Sequence, residues 1–190
     1  MATPEMVLEY WINELGPEGW YAGGKAIDDA IRRRFLPVWE ALERGEFDDW
    51  LCSPEGTLAY LIVADQFPRN MFRGEPRAFG TDHLARAAVH RALARGFDLE
   101  IPEPQRQFFY LPLEHSECKA DQSHAVRLIL TRMPETGPAI LLHARAHREI
   151  IREFGRFPFR NQALGRQNTP AEDRFMADGA YGAVLRRLSA

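Results

Sequence analysis

Apolar residues recur at three- and four-residue spacing along nearly the whole chain, and this pattern constrains the fold more than any other feature. Near the start, for example, Val7, Trp11 and Leu15 fall on one face of a helix. No segment alternates apolar and polar residues for long enough to predict a sheet strand. The sequence therefore predicts an all-α protein.

One stretch, Leu58–Ala64, is apolar on every side. A helix of this kind lies in the middle of a fold, although a short apolar run can also form a buried strand. Ser53 and Pro54 precede the run and are typical of a helix N-terminus, so we expect a central helix there. The run is far too short to cross a membrane.

Capping residues, glycines and prolines predict where the helices begin and end. Helix starts are expected near Thr3, Ser53, Thr81 or Asp82, Asp121, Pro138 and Thr169, and helix ends near Gly16, Gly45, Gly96, Met133 and Gly155. Pro37 falls inside the second predicted helix and should kink or split it. Residues 102–117 should form one or two short helices interrupted near Pro112. The helical pattern after Gly179 is weak.

Length and composition predict one globular domain, residues 1–190, because 45% of the side chains are hydrophobic and 27% are charged. A net charge of -3 argues against binding nucleic acid over the whole surface, since such proteins are strongly basic. Cys52 and Cys118 are too few for a disulfide framework. The N-terminus lacks the basic and apolar regions of a signal peptide, so we expect a cytoplasmic protein.

The first candidate site, residues 65–74, follows the predicted central helix. A carboxylate at Asp65 should be buried and therefore needs a cationic partner, for which Arg69 and Arg73 are nearest, with Asn70 between them. One interpretation is a structural ion pair that braces a loop. The other is an anion site, because a guanidinium group is a planar fork that fits carboxylate or phosphate. Residue type alone favours the brace.

The second candidate site is residues 108–118 followed by Asp121 and Gln122, and His115 is on the expected inward face of a helix. His115 can act as a general base, with Glu117 or Asp121 orienting its ring. The alternative is a core histidine with satisfied hydrogen bonds. Cys118 is a weak candidate nucleophile, since no motif that activates a thiolate surrounds it.

His143 and His147 are four residues apart, which is the spacing of two metal ligands on one helix face. The sequence lacks the general-base glutamate of the His-Glu-x-x-His motif, and His147 aligns with apolar residues. One exposed and one buried histidine is therefore the favoured interpretation. We predict no metal and no cofactor.

The last candidate site is the loop after the long predicted helix. Gly155 and Asn161 tolerate unusual backbone angles, so the loop can bring amides and guanidinium groups together around an anion. The alternative is a helix terminator followed by solvated arginines. Across all four stretches, the predicted ligand-binding residues are Asp65, Arg69, Asn70, Arg73, His147, Arg156, Arg160, Asn161 and Arg166.

Taken together, several stretches resemble an uncharacterised, mainly bacterial family, the domain of unknown function 924. They are Asp-Gln-Phe-Pro-Arg-Asn at 65–70, Phe-Phe-Tyr-Leu-Pro-Leu-Glu-His-Ser-Glu at 108–117, Asp-Gln at 121–122 and His-Arg-Glu-Ile-Ile-Arg-Glu-Phe-Gly-Arg-Phe-Pro at 147–158. The resemblance implies antiparallel helix pairs in a right-handed arrangement like that of tetratricopeptide repeats. It implies no established activity, cofactor or partner. Phe159 stands where histidine is common in the family.

Two functions are compatible with these residues. The first is a binding or scaffold protein that recognises an anionic peptide or metabolite in a groove lined by Arg69, Arg73, Arg160 and Arg166. The second is a hydrolase or transferase that uses His115, Asp121 and arginines that stabilise negative charge. A purely structural role for the motif residues is the remaining possibility. The sequence favours binding, by analogy of fold, with neither nucleic acid nor a membrane as partner. It does not define the oligomeric state.

Overall fold

The computed structural model describes residues 2–189, and every regular element within them is a helix. Helices account for 76% of the structure, which confirms the all-α class and excludes a strand at Leu58–Ala64. The chain divides into two compact units, Met1–Pro112 and Leu113–Ala190. The assignment of the whole chain to one domain stays a prediction.

The described part of the first unit is built from helices that range in length from 4 to 19 residues. Its α-helices are α1 (Pro4–Leu8), α2 (Gly16–Trp20), α3 (Lys25–Glu43), α4 (Pro54–Leu61), α5 (Phe67–Met71), α6 (Asp82–Arg95) and α7 (Phe97–Glu100). Two π-helical stretches, Glu9–Leu15 and Ile62–Gln66, and three 3-10 segments, Asp48–Cys52, Pro76–Phe79 and Gln105–Phe109, join them. Within this unit, α4 packs against α1, α6, α7 and the segment Asp48–Cys52.

The apolar run Leu58–Ala64 is the centre of this unit, as predicted, since none of its residues is more than 4% exposed. Phe67, three residues after the run, packs against other buried aromatic rings. The Phe67 ring lies 5.5 Å from the Trp11 ring and 4.6 Å from the Phe35 ring, in edge and tilted contacts. Burying each ring stabilises the fold by roughly 2–3 kcal/mol. The run and its rings therefore supply much of the free energy that holds this unit together.

Helix α3 is continuous although Pro37 lies inside it, so Pro37 does not split this helix, and the kink that was the other expectation stays a prediction. Proline removes one N–H, and the carbonyl of Arg33 loses its helical donor. Both residues are exposed or partly exposed, so water can reach that carbonyl. On the opposite face Phe35 and Trp39 are buried, each at 2% exposure, and hold the helix against the core.

A second proline explains the position of Thr81, the residue before α6. Pro68 has no N–H to donate to the carbonyl of Ala64, and the Thr81 hydroxyl donates to that oxygen at 2.6 Å. The same hydroxyl accepts a hydrogen bond from the indole N–H of Trp39 at 3.0 Å. Thr81 is fully buried and so connects three segments of the unit.

We therefore expect Thr81→Val to lower the free energy of unfolding by roughly 2–4 kcal/mol, because it leaves the Ala64 carbonyl and the Trp39 indole buried without this partner. Urea denaturation measures this loss. Thr131→Val is the matched control, since the Thr131 hydroxyl donates to the Arg127 carbonyl on an exposed surface. Equal losses in the free energy of unfolding for the two variants would contradict this prediction, because the buried hydrogen bonds of Thr81 would then contribute no more than an exposed one.

In the part of the chain that is described, the second unit contains four helices of eight or more residues. They are α9 (Lys119–Arg132), α10 (Gly137–Phe154), α11 (Pro170–Ala177) and α12 (Ala180–Ser189), with a 3-10 turn at Pro158–Arg160. A short helix, α8 (Leu111–Glu114), spans the boundary between the two units in sequence. One core cluster of the second unit consists of Ala146, Ile150, Ile151, Phe157 and Val184, and α9 adds the buried residues Ala125, Val126, Leu128 and Ile129. Over residues 2–189 no helix has the length and apolar character needed to span a membrane.

Helix α12 differs from the weak pattern expected after Gly179. Val184 is buried in the core of the second unit, and Tyr181 and Leu185 pack beside it. Val184 and Leu185 lie three and four positions after Tyr181, so the three residues form one stripe, which faces α10. Glycines at 179 and 182 weaken the helical pattern in the sequence. Packing of this stripe on α10 stabilises the helix despite them.

Candidate functional site

In the first unit, Asp65 and Arg69 form the ion pair that burial of the carboxylate requires. Asp65 is 1% exposed, and its Oδ1 lies 3.2 Å from Nη1 of Arg69. Gln66 Nε2 donates to the other carboxylate oxygen at 2.6 Å. Nη2 of Arg69 lies 3.0 Å from Oδ1 of Asp82, in the first turn of α6. The guanidinium group thus joins two helical segments through their carboxylates.

Arg73 and Asn70 both bind Asp28 on α3. Arg73 donates to the two carboxylate oxygens at 3.0 Å each, and Asn70 Nδ2 donates to Oδ1 at 2.9 Å. Burial raises the pKa of Asp28, but the hydrogen bonds from Arg73 and Asn70 outweigh burial and hold the pKa below its ordinary value. Asp28 therefore carries the negative charge that this arginine requires.

These contacts favour the bracing interpretation for the first motif. Arg69 and Arg73 each hold a carboxylate of their own unit. An incoming anion has to displace that carboxylate before it can bind either guanidinium group, which costs the charge-assisted hydrogen bonds already formed.

In the second unit, Glu117 holds the loop that begins at Phe157. Arg166 donates to both oxygens of Glu117, at 2.8 and 3.0 Å, and the backbone N–H of Phe157 donates to Oε1 at 2.9 Å. Burial raises the pKa of Glu117, and the hydrogen bonds from Arg166 and Phe157 outweigh it, so the net pKa is lowered. The role of Glu117 in orienting His115 stays a prediction, whereas its hydrogen bonds to Arg166 and Phe157 assign it to the loop.

Arg156 holds the start of α11. Its Nε and Nη2 donate to the two oxygens of Glu172 at 2.6 and 2.7 Å, and Nη2 also donates to the carbonyl of Gln167 at 2.8 Å. Glu172 completes a capping box by accepting the backbone N–H of Thr169 at 2.7 Å. The hydrogen bond from Arg156 is the main reason that the pKa of Glu172 falls to about 2.

Arg160 and Asn161 are almost fully buried in the same loop, at 7% and 1% exposure. The guanidinium carbon of Arg160 lies 4.4 Å from the centre of the Phe157 ring, a cation–π contact. Asn161 Nδ2 donates to Asn168 Oδ1 at 2.7 Å, and the backbone carbonyl of Asn161 accepts from the backbone N–H of Arg166 at 2.8 Å. The loop is therefore compact and internally bonded.

Glu114, His115 and His147, together named the histidine cluster, lie close to one another in the second unit. His147 Nδ1 on α10 is 3.5 Å from Oε2 of Glu114. Glu114 is 1% exposed, whereas the His147 side chain is 17% exposed. The rings of His115 and His147 meet edge to face, with centroids 6.0 Å apart. The distance from Glu114 to His147 is longer than a formed hydrogen bond, and a movement of about half an ångström closes it.

Tyr181 on α12 lies against the histidine cluster. Its ring centroid is 5.0 Å from that of His147, and its hydroxyl oxygen is 2.7 Å from Nδ1 of His143. Burial raises the pKa of the Tyr181 phenol far above its ordinary value, and the charge of Glu114 adds to the shift. Tyr181 therefore remains protonated. Of the residues that the structure describes, no three that ligate metals come together.

The Asp-Gln motif at 121–122 supports the turn that carries this cluster. Gln122 is fully buried, and its Nε2 donates to the carbonyls of Glu114 and Ser116 at 2.5 and 2.7 Å. Asp121 accepts a hydrogen bond from the Ser116 hydroxyl at 2.7 Å. Orientation of His115 by Asp121 stays a prediction. In the structure, Asp121 and Gln122 instead stabilise the conformation of residues 114–116 through these hydrogen bonds.

Glu114, Gln122 and Tyr181 were not among the predicted site residues. Glu114 directly precedes His115, and adjacent helix positions point about 100° apart, so sequence spacing does not pair it with an imidazole. Its partner His147 lies on another helix. Gln122 stands in a recognised motif, which is the signal that identifies it. Cys118, the weak candidate nucleophile, is exposed.

Comparison with known proteins gives a family but no activity. Residues 7–180 match the family described as bacterial protein of unknown function (DUF924). A solved structure of a protein of unknown function from Agrobacterium tumefaciens is 38% identical, with a TM-score of 0.85, and the match covers 93% of this chain and 97% of that one. No curated protein sequence matches the chain. The chain belongs to the DUF924 family.

Proposed function

We propose that this member of the DUF924 family is an enzyme, a hydrolase or transferase that acts on esters, with His147 as its proton-transfer group and Glu114 as its orienting carboxylate. The observation that carries the proposal is the placement of a carboxylate at 1% exposure 3.5 Å from the imidazole of a partly exposed histidine. Burying a carboxylate is costly, and active sites use carboxylate–imidazole pairs to orient a general base.

The chemistry follows from which ring nitrogen faces the carboxylate. Oε2 of Glu114 faces Nδ1 of His147 at 3.5 Å, so once a small movement closes this distance Glu114 accepts from Nδ1–H and the lone pair stays on Nε2. Nε2 takes a proton from water or from an acceptor hydroxyl as that oxygen attacks the carbonyl or phosphoryl centre of an ester. It then returns the proton to the departing oxygen as the ester bond breaks. The resulting imidazolium is stabilised by Glu114 between the two steps.

The proposal transfers the role of base from His115 to His147, because the Glu114 carboxylate lies 3.5 Å from Nδ1 of His147. His115 lies beside it, with ring centroids 6.0 Å apart, and serves as a second group that can exchange a proton with the substrate. Tyr181 stays protonated, because burial raises its pKa, and so can donate a hydrogen bond to developing negative charge. Gln122 keeps the supporting turn in place.

Recognition of an anionic peptide or metabolite by Arg69, Arg73, Arg160 and Arg166 is the weaker proposal. Arg73 and Arg166 each donate to both oxygens of a carboxylate, and Arg69 is paired as well. Binding at these groups requires an anion to compete with bonds already made. Both proposals retain the tetratricopeptide-repeat-like arrangement and the cytoplasmic location as expectations.

A screen of para-nitrophenyl phosphate, bis(para-nitrophenyl) phosphate and para-nitrophenyl butyrate tests the proposal, with Glu114→Gln as the diagnostic variant. This change keeps the size of the side chain and removes the charge that stabilises the imidazolium. We expect kcat on the best ester to fall by roughly 10–100-fold while KM changes little. Glu153→Gln, an exposed carboxylate of α10, is the matched control and should retain turnover. A wild-type protein inactive on all three esters contradicts the proposal, as does a fully active Glu114→Gln variant.

A further inference from the structure

We propose a second ligand site, in the first unit, that binds a small organic monocarboxylate with a short apolar chain. The site is the groove between α4, α6 and the 3-10 segment Asp48–Cys52, with a volume of about 440 Å³. A cavity of this size suits a small metabolite. The groove contains no residue of the histidine cluster, so this proposal can be tested independently of the proposed function.

The floor of the groove contains a buried hydroxyl that needs a partner. Thr57 on α4 lines the groove and is 1% exposed. Among residues 2–189, no donor or acceptor reaches its Oγ1. Leaving a buried hydroxyl without a hydrogen bond is unfavourable, and buried polar groups in native structures are rarely left so. The hydroxyl can donate to a ligand carboxylate.

Two arginines of α6 stand one turn apart along the same groove. Arg95 Nη1 donates to the carbonyl of Leu51 at 3.0 Å, which anchors that side chain at the groove wall. Arg91 is exposed, and within the described chain its guanidinium group makes no ion pair. Asp48 also lines the groove. Two guanidinium groups and one carboxylate leave a net charge of one positive unit, which matches a monoanion better than a dianion.

The remaining wall of the groove is apolar and open enough for a short chain. Ala88 and Ala92, four residues apart on α6, are both buried and line it together with Leu51. A Cβ atom at Gly56 would collide with the carbonyl oxygen of Trp50. Glycine at this position therefore allows the segment that carries Leu51 to lie close against α4, and this contact forms the wall opposite α6.

Cys52 provides a direct readout, because this exposed thiol also lines the groove. Cys118 is exposed in the other unit and serves as an internal control. The experiment measures alkylation of each cysteine by iodoacetamide, a neutral reagent, with mass spectrometry of the intact wild-type protein. Sodium hexanoate is the probe, and hexan-1-ol and inorganic phosphate are the comparison compounds.

We expect hexanoate at roughly 10–50 mM to slow alkylation of Cys52 at least about threefold and to leave Cys118 unchanged, since a small fragment binds at millimolar concentration. Arg91→Gln and Thr57→Val should each raise the hexanoate concentration needed for protection by about tenfold, the effect of losing one hydrogen bond to a charged group. Arg33→Gln removes an exposed arginine of α3 and should leave protection intact.

The proposal is overturned if hexanoate leaves the Cys52 rate unchanged, or if Arg91→Gln is protected as well as the wild type. Equal protection by hexan-1-ol overturns it too, because the groove then recognises only the apolar chain. Protection by phosphate in place of hexanoate has the same consequence, because the monocarboxylate is then the wrong ligand class. None of these outcomes depends on whether the protein hydrolyses esters.

Discussion

Replacement of His147 by glutamine is expected to lower kcat on the preferred ester by roughly 10²–10⁴-fold, the contribution of a positioned general base. Glutamine is similar in size to histidine, and its amide can still donate to the Glu114 carboxylate, which lies 3.5 Å from Nδ1 in the wild type. It cannot take up a proton at neutral pH. The variant therefore removes proton transfer while it retains most of the packing. The measurement is steady-state kinetics together with a thermal melt.

His143→Gln is the matched control for this prediction. His143 lies one turn earlier on α10, is exposed, and makes a 2.7 Å contact with the Tyr181 hydroxyl. We expect this variant to retain kcat within about threefold, because His143 is not the proton-transfer group and a glutamine amide can still hydrogen-bond with the Tyr181 hydroxyl. Equal losses in the two variants would contradict the assignment to His147. A lowered melting temperature with normal turnover in His147→Gln would show that the histidine cluster is structural.

The second large effect concerns stability, and at pH 7 Arg156→Ala is expected to lower the free energy of unfolding clearly more than the loss of an exposed ion pair does. The substitution leaves Glu172, which is 2% exposed, without the guanidinium group that donates to both of its oxygens. A charge buried without its partner is more costly than a pair replaced by apolar groups. Urea denaturation followed by circular dichroism measures the difference.

This loss should depend on pH in a direction set by Glu172. Its pKa is about 2 in the folded protein, against an ordinary value of 4.5, chiefly because of Arg156. A lowered pKa means that the stabilisation is present above the ordinary value and is lost as the pH falls toward the lowered one. The gap between wild type and Arg156→Ala should therefore be widest near neutral pH and narrow below about pH 5.

Arg152→Ala is the control for that prediction, because Arg152 is 63% exposed and its contact with Glu149 is 3.2 Å. An exposed ion pair of this kind contributes about 0–1 kcal/mol. A difference between the Arg156 and Arg152 variants that stays constant from pH 7 to pH 3 would show that Glu172 is not the origin of the loss.

The helix boundaries that the sequence predicted well are those set by local chemistry. Ser53 begins α4 by accepting the N–H of Gly56 at 3.1 Å, and Thr169 begins α11 with a capping box. Gly96 and Gly155 follow α6 and α10 with positive φ angles of 77° and 72°, which glycine adopts without strain. In each case the determining contact lies within a few residues of the boundary.

Features decided by packing could not be predicted in this way. Pro37 stays inside a continuous helix because Phe35 and Trp39 are buried on its other face. Helix α12 forms because Tyr181 and Val184 pack on the core of the second unit. Local propensity is only a weak indicator when tertiary contacts of this kind compete with it.

In the candidate site, too, local features could be predicted from the sequence, whereas features that depend on packing could not. The residue types of the motifs were visible in the sequence, but their partners were not, since Arg166 lies 49 residues from Glu117 and Asn70 lies 42 residues from Asp28. Spacing identifies which residues share a helix face, whereas ion pairs between helices depend on how those helices pack. For the same reason, the carboxylate beside His147 is Glu114, a residue that spacing alone did not single out.

The most direct test of the account is the tautomer of His147, measured by two-dimensional ¹H–¹⁵N NMR of the imidazole nitrogens in wild type and in Glu114→Gln. At a pH where the ring is neutral, we predict that Nδ1 carries the proton and Nε2 is unprotonated in the wild type, because Nδ1 faces the Glu114 carboxylate. The Glu114→Gln variant should lose this preference. A wild-type ring protonated on Nε2 would contradict the account, because the atom proposed to accept the substrate proton would already hold one.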